Sequence, residues 1–320
     1  MNELNMVIGQ GPVGATVAAL LAARGGRVRT VTRSGAGGGG GVEAVRADAL
    51  DPESLRGLFD GATAVYDCLH AGKYTDKEWQ RVLPATDRNV RAEAARTGAL
   101  IVYPESLYSY APPTGPITEG SPRRPATAKG HIRAALIEAR LADAQPVAIV
   151  AASDFYGPHA RKAHAGDRML AAVTGGKTLR VLGSAAQPHS FTYVPDLAAA
   201  MIAAASRPEL WNRILLAPTV APLTQRELAG RYAAAAGVGA PTVAPLPGWL
   251  LRGAGLALPE MAGIAEMDYQ FTRPFTVNSA WSEAALGLAP TPLEDGVAAT
   301  MGWWRTRSDG GRAGGSGRGR

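Results

Sequence analysis

Met6-Val7-Ile8-Gly9-Gln10-Gly11-Pro12-Val13-Gly14 decides the fold. Three apolar residues read as a short buried strand, and a G-x-G-x-x-G set then leads into an Ala/Leu-rich helix expected from Val13 to Ala23. Each glycine has a physical task in such a turn. Gly9 allows the tight bend, Gly11 lets the backbone approach a pyrophosphate, and Gly14 lets helix and strand pack closely. The helix start at Pro12 and Val13 offers the free N–H groups of its first turn, from Val13 onward since Pro12 has none, and a partial positive charge to phosphates.

Beyond this turn, apolar runs alternate with helical patterns, which predicts an α/β fold: a Rossmann doubly wound parallel sheet. Further strands are expected at Arg27–Thr32, Val42–Arg46, Ala62–Cys68, Ala99–Tyr103 and Pro146–Ala151. Helices are expected at Pro52–Phe59, Asp76–Thr97 and Ala128–Ala144. Residues 35–41, Gly-Ala-Gly-Gly-Gly-Gly-Gly, have no helix-forming power and read as a flexible loop. From about Tyr156 proline and glycine break the pattern, as in a smaller lobe. The expected division is a dinucleotide-binding core over 1–155, with 191–217 returning to it, and a C-terminal substrate-binding lobe over 156–190 and 218–305. Residues 306–320, rich in Gly, Ser and Arg, are expected to be a disordered tail.

About 20 residues past the turn, where a carboxylate would grip the ribose of NAD(H), the chain reads Val31-Thr32-Arg33-Ser34. Arg33 suits a 2′-phosphate and Ser34 adds a hydrogen-bond donor, so NADP(H) is favoured over NAD(H). Asp48 is placed either to accept a hydrogen bond from the adenine amino group or simply to cap the end of its strand.

The 320-residue chain is 46% hydrophobic and 19% charged, ample for a core. Its one cysteine, Cys68, excludes an internal disulfide and suits a cytoplasmic location. The net charge of +6 owes much to the terminal arginines, so no nucleic-acid partner is expected. No apolar run approaches the roughly 20 residues of a membrane span, and the MNELNM start does not read as a secretory signal. The five histidines lack metal-ligand spacing, so no metal is expected.

Seven segments together resemble the extended short-chain dehydrogenase/reductases, the NAD-dependent epimerase/dehydratase family. They are GQGPVG at 9–14, Asp48 at a strand end, Ser106-Leu107-Tyr108-Ser109-Tyr110, and Ile117-Thr118-Glu119. The others are Asp154-Phe155-Tyr156-Gly157-Pro158, Phe191 to Leu197, and Gly287 to Leu293. The resemblance implies a serine that bonds the reacting oxygen, a tyrosine that exchanges its proton, and a lysine spaced Tyr-x-x-x-Lys. Ser106 matches the serine. The Tyr-x-x-x-Lys pair is absent.

Pro125-Ala126-Thr127-Ala128-Lys129-Gly130-His131-Ile132-Arg133 stands in its place. One register sets Lys129 at the tyrosine and Arg133 at the lysine; the other sets Pro125 at the tyrosine and Lys129 at the lysine. The first is preferred because Gly130 then meets the family's Tyr-Gly glycine. Lys129 is then a candidate acid/base, as lysine is in isoflavone-reductase-like relatives, and with Arg133 it would also bind the cofactor. Tyr108 is the alternative proton carrier, and Leu69 is a further cofactor contact by resemblance. His70, Tyr74, Asp154, Tyr156 and His189 are candidates to face a small-molecule substrate. Residues 183–190 carry no Lys or Arg for a diphosphate. The resemblance also implies a homodimer through the helices at 76–97 and 128–144. The expected activity is NADP(H)-dependent oxidation or reduction of a carbonyl, enone or alcohol. A non-redox isomerase, epimerase, dehydratase or cyclase, or a dinucleotide sensor, is the alternative.

Overall fold

The computed structural model describes residues 3–313. Seven strands make one sheet, all pairs parallel: β1 (Leu4–Ile8), β2 (Arg27–Thr32), β3 (Val42–Arg46), β4 (Ala62–Asp67), β5 (Leu100–Ser106), β6 (Val147–Ala152) and the later β10 (Ile214–Leu216). Their order is β3-β2-β1-β4-β5-β6-β10, the doubly wound arrangement that the alternating pattern predicts. The remaining strands pair in twos, again parallel: β7 (Asp154–Tyr156) with β9 (Phe191–Tyr193), and β8 (Leu179–Val181) with β11 (Val243–Pro245).

The helices α1 (Pro12–Ala23), α2 (Pro52–Leu55), α3 (Asp76–Thr97) and α4 (Ala128–Leu141) connect the main sheet. They are followed by α5 (Asp167–Thr174), α6 (Val194–Ala205), α7 (Gln225–Ala236), α8 (Gly248–Ala257), α9 (Pro259–Glu266), α10 (Tyr269–Thr272), α11 (Ala280–Leu286) and α12 (Leu293–Ala313). No described helix is long and apolar enough to cross a membrane.

Both faces of the sheet are covered, so its strands read as continuous apolar runs. Met6, Ile8, Val65, Ile101 and Ile149 pack with Val90 of α3 and Ile137 of α4 on one face. Val7, Tyr66, Val102 and Val150 pack with Val17 of α1 and Leu197 and Met201 of α6 on the other. A third core, under the small lobe, gathers Met169, Leu170, Val181, Phe191, Leu228, Tyr232 and Met301.

The sequence expectations for β2, β3 and α3 agree with the structure residue for residue. Helix α3 starts where Thr75 accepts from the Glu78 N–H and stops at Gly98, whose φ of 72° is left-handed. Helix α2 is shorter than expected because Arg56 is already extended, with ψ 125°. Helix α4 ends three residues early, where Asp143 turns to accept from the Gln145 N–H. Helix α11 lies against α6 and β10, on the sheet side rather than within the lobe expected over 218–305.

The expected tail does not begin at 306. Helix α12 continues to Ala313, and Arg307 holds it to the start of α5 with two hydrogen bonds to Asp167 of 2.9 and 2.8 Å. Residues 314–320 of that expectation lie outside the described residues.

Candidate active site

At the glycine turn, Ile8 stands opposite Val31 of β2 and Asp67 of β4, so three strand ends meet the start of α1. Gly9 has φ 92°, and a Cβ there would press on the Cys68 carbonyl. A Cβ on Gly14 would overlap the Gly9 carbonyl oxygen, which is why helix and strand approach so closely only with glycine. Gly11 is different: a Cβ there meets nothing within 4 Å. It is the N-cap of α1, carries no side-chain cap, and no acidic residue lies in the first turn with Pro12 and Val13. Open space thus faces uncapped N–H groups, which fits a dinucleotide diphosphate.

Arg33 and Ser34 are exposed just beyond β2. Ser34 lies 3.5 Å from the Thr32 hydroxyl and accepts from the Ala36 N–H. Asp48 is half-buried and accepts from Leu50 N–H at 3.0 Å through one oxygen, so its local capping role is real. Leu69, half-buried after β4, donates its N–H to Asp67.

Ser106 ends β5. Its hydroxyl is 3.3 Å from Glu105 Oε1, and its N–H donates to the same oxygen at 2.8 Å. Glu105 is buried and ion-paired to Arg140 at 3.0 Å, while Arg140 bonds Asp87 at 2.6 Å. Arg133 lies over the Trp79 ring at 5.0 Å, with Nε 3.4 Å from Glu105 Oε1. That Nε is buried without a hydrogen bond.

Lys129, the candidate acid/base, is buried rather than a solvated helix-start lysine. Its side chain is 0% exposed, and Nζ donates to Asp76 Oδ1 at 2.5 Å and Glu266 Oε2 at 2.9 Å. The same Glu266 accepts from the Ala128 and Lys129 N–H groups, capping α4 alongside Thr127. Held between two carboxylates, the ammonium ties α4 to the start of α3 and the end of α9.

Phenols occupy the neighbouring space. The Tyr74 hydroxyl donates to the Tyr108 hydroxyl at 3.0 Å, and the Tyr108 ring stacks on Trp79 at 6.1 Å. Burial, with the charge of Asp154 adding, pushes the Tyr108 phenol above its ordinary range. Burial also raises Tyr74, with Tyr108 next in effect and Asp154 adding further. His70 opens on the same space and packs edge-on to Trp79 at 4.8 Å. Desolvation among these rings, with Arg133 adding, lowers its imidazole pKa.

Asp154, at the start of β7, contacts His189 Nε2 at 2.7 Å. His189 is 1% exposed, so the expected direct contact with a substrate is not what the structure places there. Tyr156 is also displaced from the expected role. Its ring is fully buried in the small-lobe core, with its hydroxyl against Gly296 of α12, because it points from β7 into that core. Sequence reasoning passed over Glu105 and Glu266, and took Asp76 only as a helix start. Glu105 alone carried a local signal, since a carboxylate inside the apolar run of β5 must find a buried partner.

A sequence model described as the NAD dependent epimerase/dehydratase family matches residues 6–213. No curated protein matches the chain. Among solved structures, MoeE5 in complex with UDP-glucose and NAD is 18% identical, covers 96% of this chain and 99% of its own, and superposes with TM-score 0.72. UDP-N-acetylglucosamine 4-epimerase from Bacillus cereus is 16% identical, with coverage of 95% and 96% and TM-score 0.73. The dTDP-glucose 4,6-dehydratase from Bacillus anthracis, in complex with NAD, is 14% identical, with coverage of 96% and 98% and TM-score 0.76. These likenesses share the fold, and the family match spans the glycine turn, Ser106, the 125–133 segment and Asp154. The chain therefore belongs to the NAD dependent epimerase/dehydratase family, as an enzyme of the extended short-chain dehydrogenase/reductase type.

Proposed function

We propose that the protein is an NADP(H)-dependent oxidoreductase that reduces a carbonyl or enone of a small metabolite, with Tyr108 as its proton donor. One observation carries this reading. The Tyr108 oxygen accepts from Tyr74 at 3.0 Å, which leaves its own hydrogen free, two residues past Ser106. A phenol in this position supplies what the missing Tyr-x-x-x-Lys tyrosine would supply.

The protonated state of the same group suits proton donation. Burial raises the phenol, so it stays protonated near neutral pH and is suited to giving a proton to a developing alkoxide. When bound, the dinucleotide supplies the hydride. The Gly9–Gly14 turn would hold its diphosphate, Arg33 and Ser34 the 2′-phosphate, Asp48 the adenine, and Arg133 the nicotinamide ribose. Ser106 orients the reacting oxygen. MoeE5 is complexed with UDP-glucose. In this chain residues 183–190 offer no Lys or Arg to a diphosphate, so we favour a substrate without one.

Purified protein incubated with NADPH and a panel of ketones, aldehydes and enones should show loss of nicotinamide absorbance. Product formed at constant absorbance would instead establish the non-redox chemistry. Tyr108→Phe should lower the reduction rate about 10²-fold or more while leaving the folded far-UV spectrum unchanged. A variant within threefold of the parent would remove Tyr108 from the chemistry.

A further inference from the structure

Among the described residues the Tyr74 hydroxyl makes one hydrogen bond, and it goes to the Tyr108 hydroxyl at 3.0 Å. Tyr74 lies between β4 and α3, where three contacts fix it. Its ring packs edge-on to Trp79 at 5.4 Å and 87°, and the Lys129 ammonium lies 4.9 Å from the ring centroid. Its carbonyl oxygen stands so close to Gly263 of α9 that a Cβ there would overlap it. Tyr108 stacks on the same Trp79, so one indole aligns both phenols.

A phenol oxygen both accepts and donates. In the proposed reduction the substrate carbon gains hydride from the dinucleotide and its oxygen takes the Tyr108 proton. The electron pair of the broken O–H bond stays on the Tyr108 oxygen, which regains a proton from water once product leaves. Until then that oxygen carries a full negative charge. Burial, Asp154 and Tyr269 work against the charge, while the Tyr74 hydrogen bond and the Arg133 cation favour it. Of these two, the Tyr74 hydroxyl is the one in hydrogen-bond contact. An O–H···O bond becomes charge-assisted when its acceptor ionises, and roughly doubles in strength. The gain exists after the proton has left and not before, so it lowers the barrier rather than KM.

We propose that Tyr74 is the positioning residue of the proton donor: it keeps the Tyr108 hydrogen available to the substrate oxygen and stabilises the phenolate that Tyr108 becomes. The proposal rests on the reading of Tyr108 as proton donor. It gives Tyr74, expected from the sequence to face substrate, a role exercised through Tyr108.

Trifluorotyrosine installed at position 108 titrates far below tyrosine and brings this phenol within reach of fluorine NMR in the full chain. Tyr74→Phe keeps the ring, with its packing on Trp79 and Lys129, and removes the hydroxyl alone. It should raise the titration at 108 by about one unit, a tenfold loss of phenolate stability; a titration unchanged or lowered would overturn the proposal. With NADPH and cyclohexanone, Tyr74→Phe should lower kcat about tenfold at unchanged KM. In a Tyr108→Phe background the same substitution should change kcat less than about twofold, because no phenolate forms there. Equal losses in both backgrounds would mark a structural role and sink the proposal. A large loss in Tyr108→Phe, with Tyr74→Phe near the parent rate, would overturn the role of Tyr74 alone. Parent-like rates in Tyr108→Phe would remove the proton-donor reading and the role of Tyr74 with it.

Discussion

Asp67 shows how one buried carboxyl ties stability to pH. It ends β4 at 6% exposure, and burial, opposed by Arg140 and helped by Asp87, raises it to about 6. Its folded pKa lies above the unfolded value, so the native state holds the proton more tightly. Stability from this group is complete near pH 4, falls as pH rises through about 6, and is flat above. Asp67→Asn keeps the acceptor for Leu69 and removes the titration. Its stability relative to the parent should improve by up to about 3 kcal/mol between pH 4 and 7, read by urea unfolding at each pH; a constant difference would assign the titration to another group. Arg33→Ala, at an exposed position without a recorded hydrogen bond, should weaken NADPH at least tenfold more than NADH by fluorescence titration. Equal loss for both would return the preference to NAD(H). Some of these roles were legible in sequence and others were not. Asp154 stands just past the end of β6, where open sheets expose side chains, so position flagged it, whereas Ser106 was matched through the resemblance. The partners of Lys129 stand 53 and 137 residues away, and no local spacing announces them.

Elements were legible in proportion to their period. Strands β2 and β3 and helix α3 are long enough for a hydrophobic repeat, and α3 ends in recognisable caps, so their bounds follow from the chain itself. Strands β7, β8, β9 and β11 have three residues each and no repeat to read. Their existence depends on pairing across the fold. The glycine turn separates two jobs that the motif merges. Gly14→Ala forces a side-chain carbon into the Gly9 carbonyl, so it should cost more than about 3 kcal/mol of stability or prevent folding. Gly11→Ala meets no protein atom within 4 Å, so the free protein should melt within about 1–2 °C of the parent. The added methyl would instead stand where a diphosphate approaches, and calorimetry should show dinucleotide affinity reduced at least tenfold. Unchanged affinity would place the diphosphate elsewhere.

Across the whole molecule, Lys129 joins parts that the chain brings together from far apart. Asp76 opens α3, Lys129 lies in the first turn of α4, and Glu266 closes α9 in the lobe that borders the cleft. A Cβ on Gly263 would crowd both the Tyr74 carbonyl and the Lys129 ammonium, so α9 is seated directly on this pin. Lys129→Met would leave Glu266 and Asp76 without their cation. Asp76 is 50% exposed and can rehydrate, which places the expected loss at about 1–3 kcal/mol, below that of a fully enclosed pair. Adding Glu266→Gln removes the more buried of the stranded charges and should recover part of the loss. The kinetic expectation has the opposite emphasis. Because Nζ is fully enclosed and ion-paired to Asp76 and Glu266, kcat is expected to stay within about fivefold of the parent, whereas a proton donor would lose about 10²-fold. KM for the substrate should rise as α9 loosens, with dinucleotide affinity little changed. Stopped-flow reduction and urea unfolding on the single and double variants separate the two roles, and a collapse of kcat with unchanged stability would restore Lys129 to the chemistry.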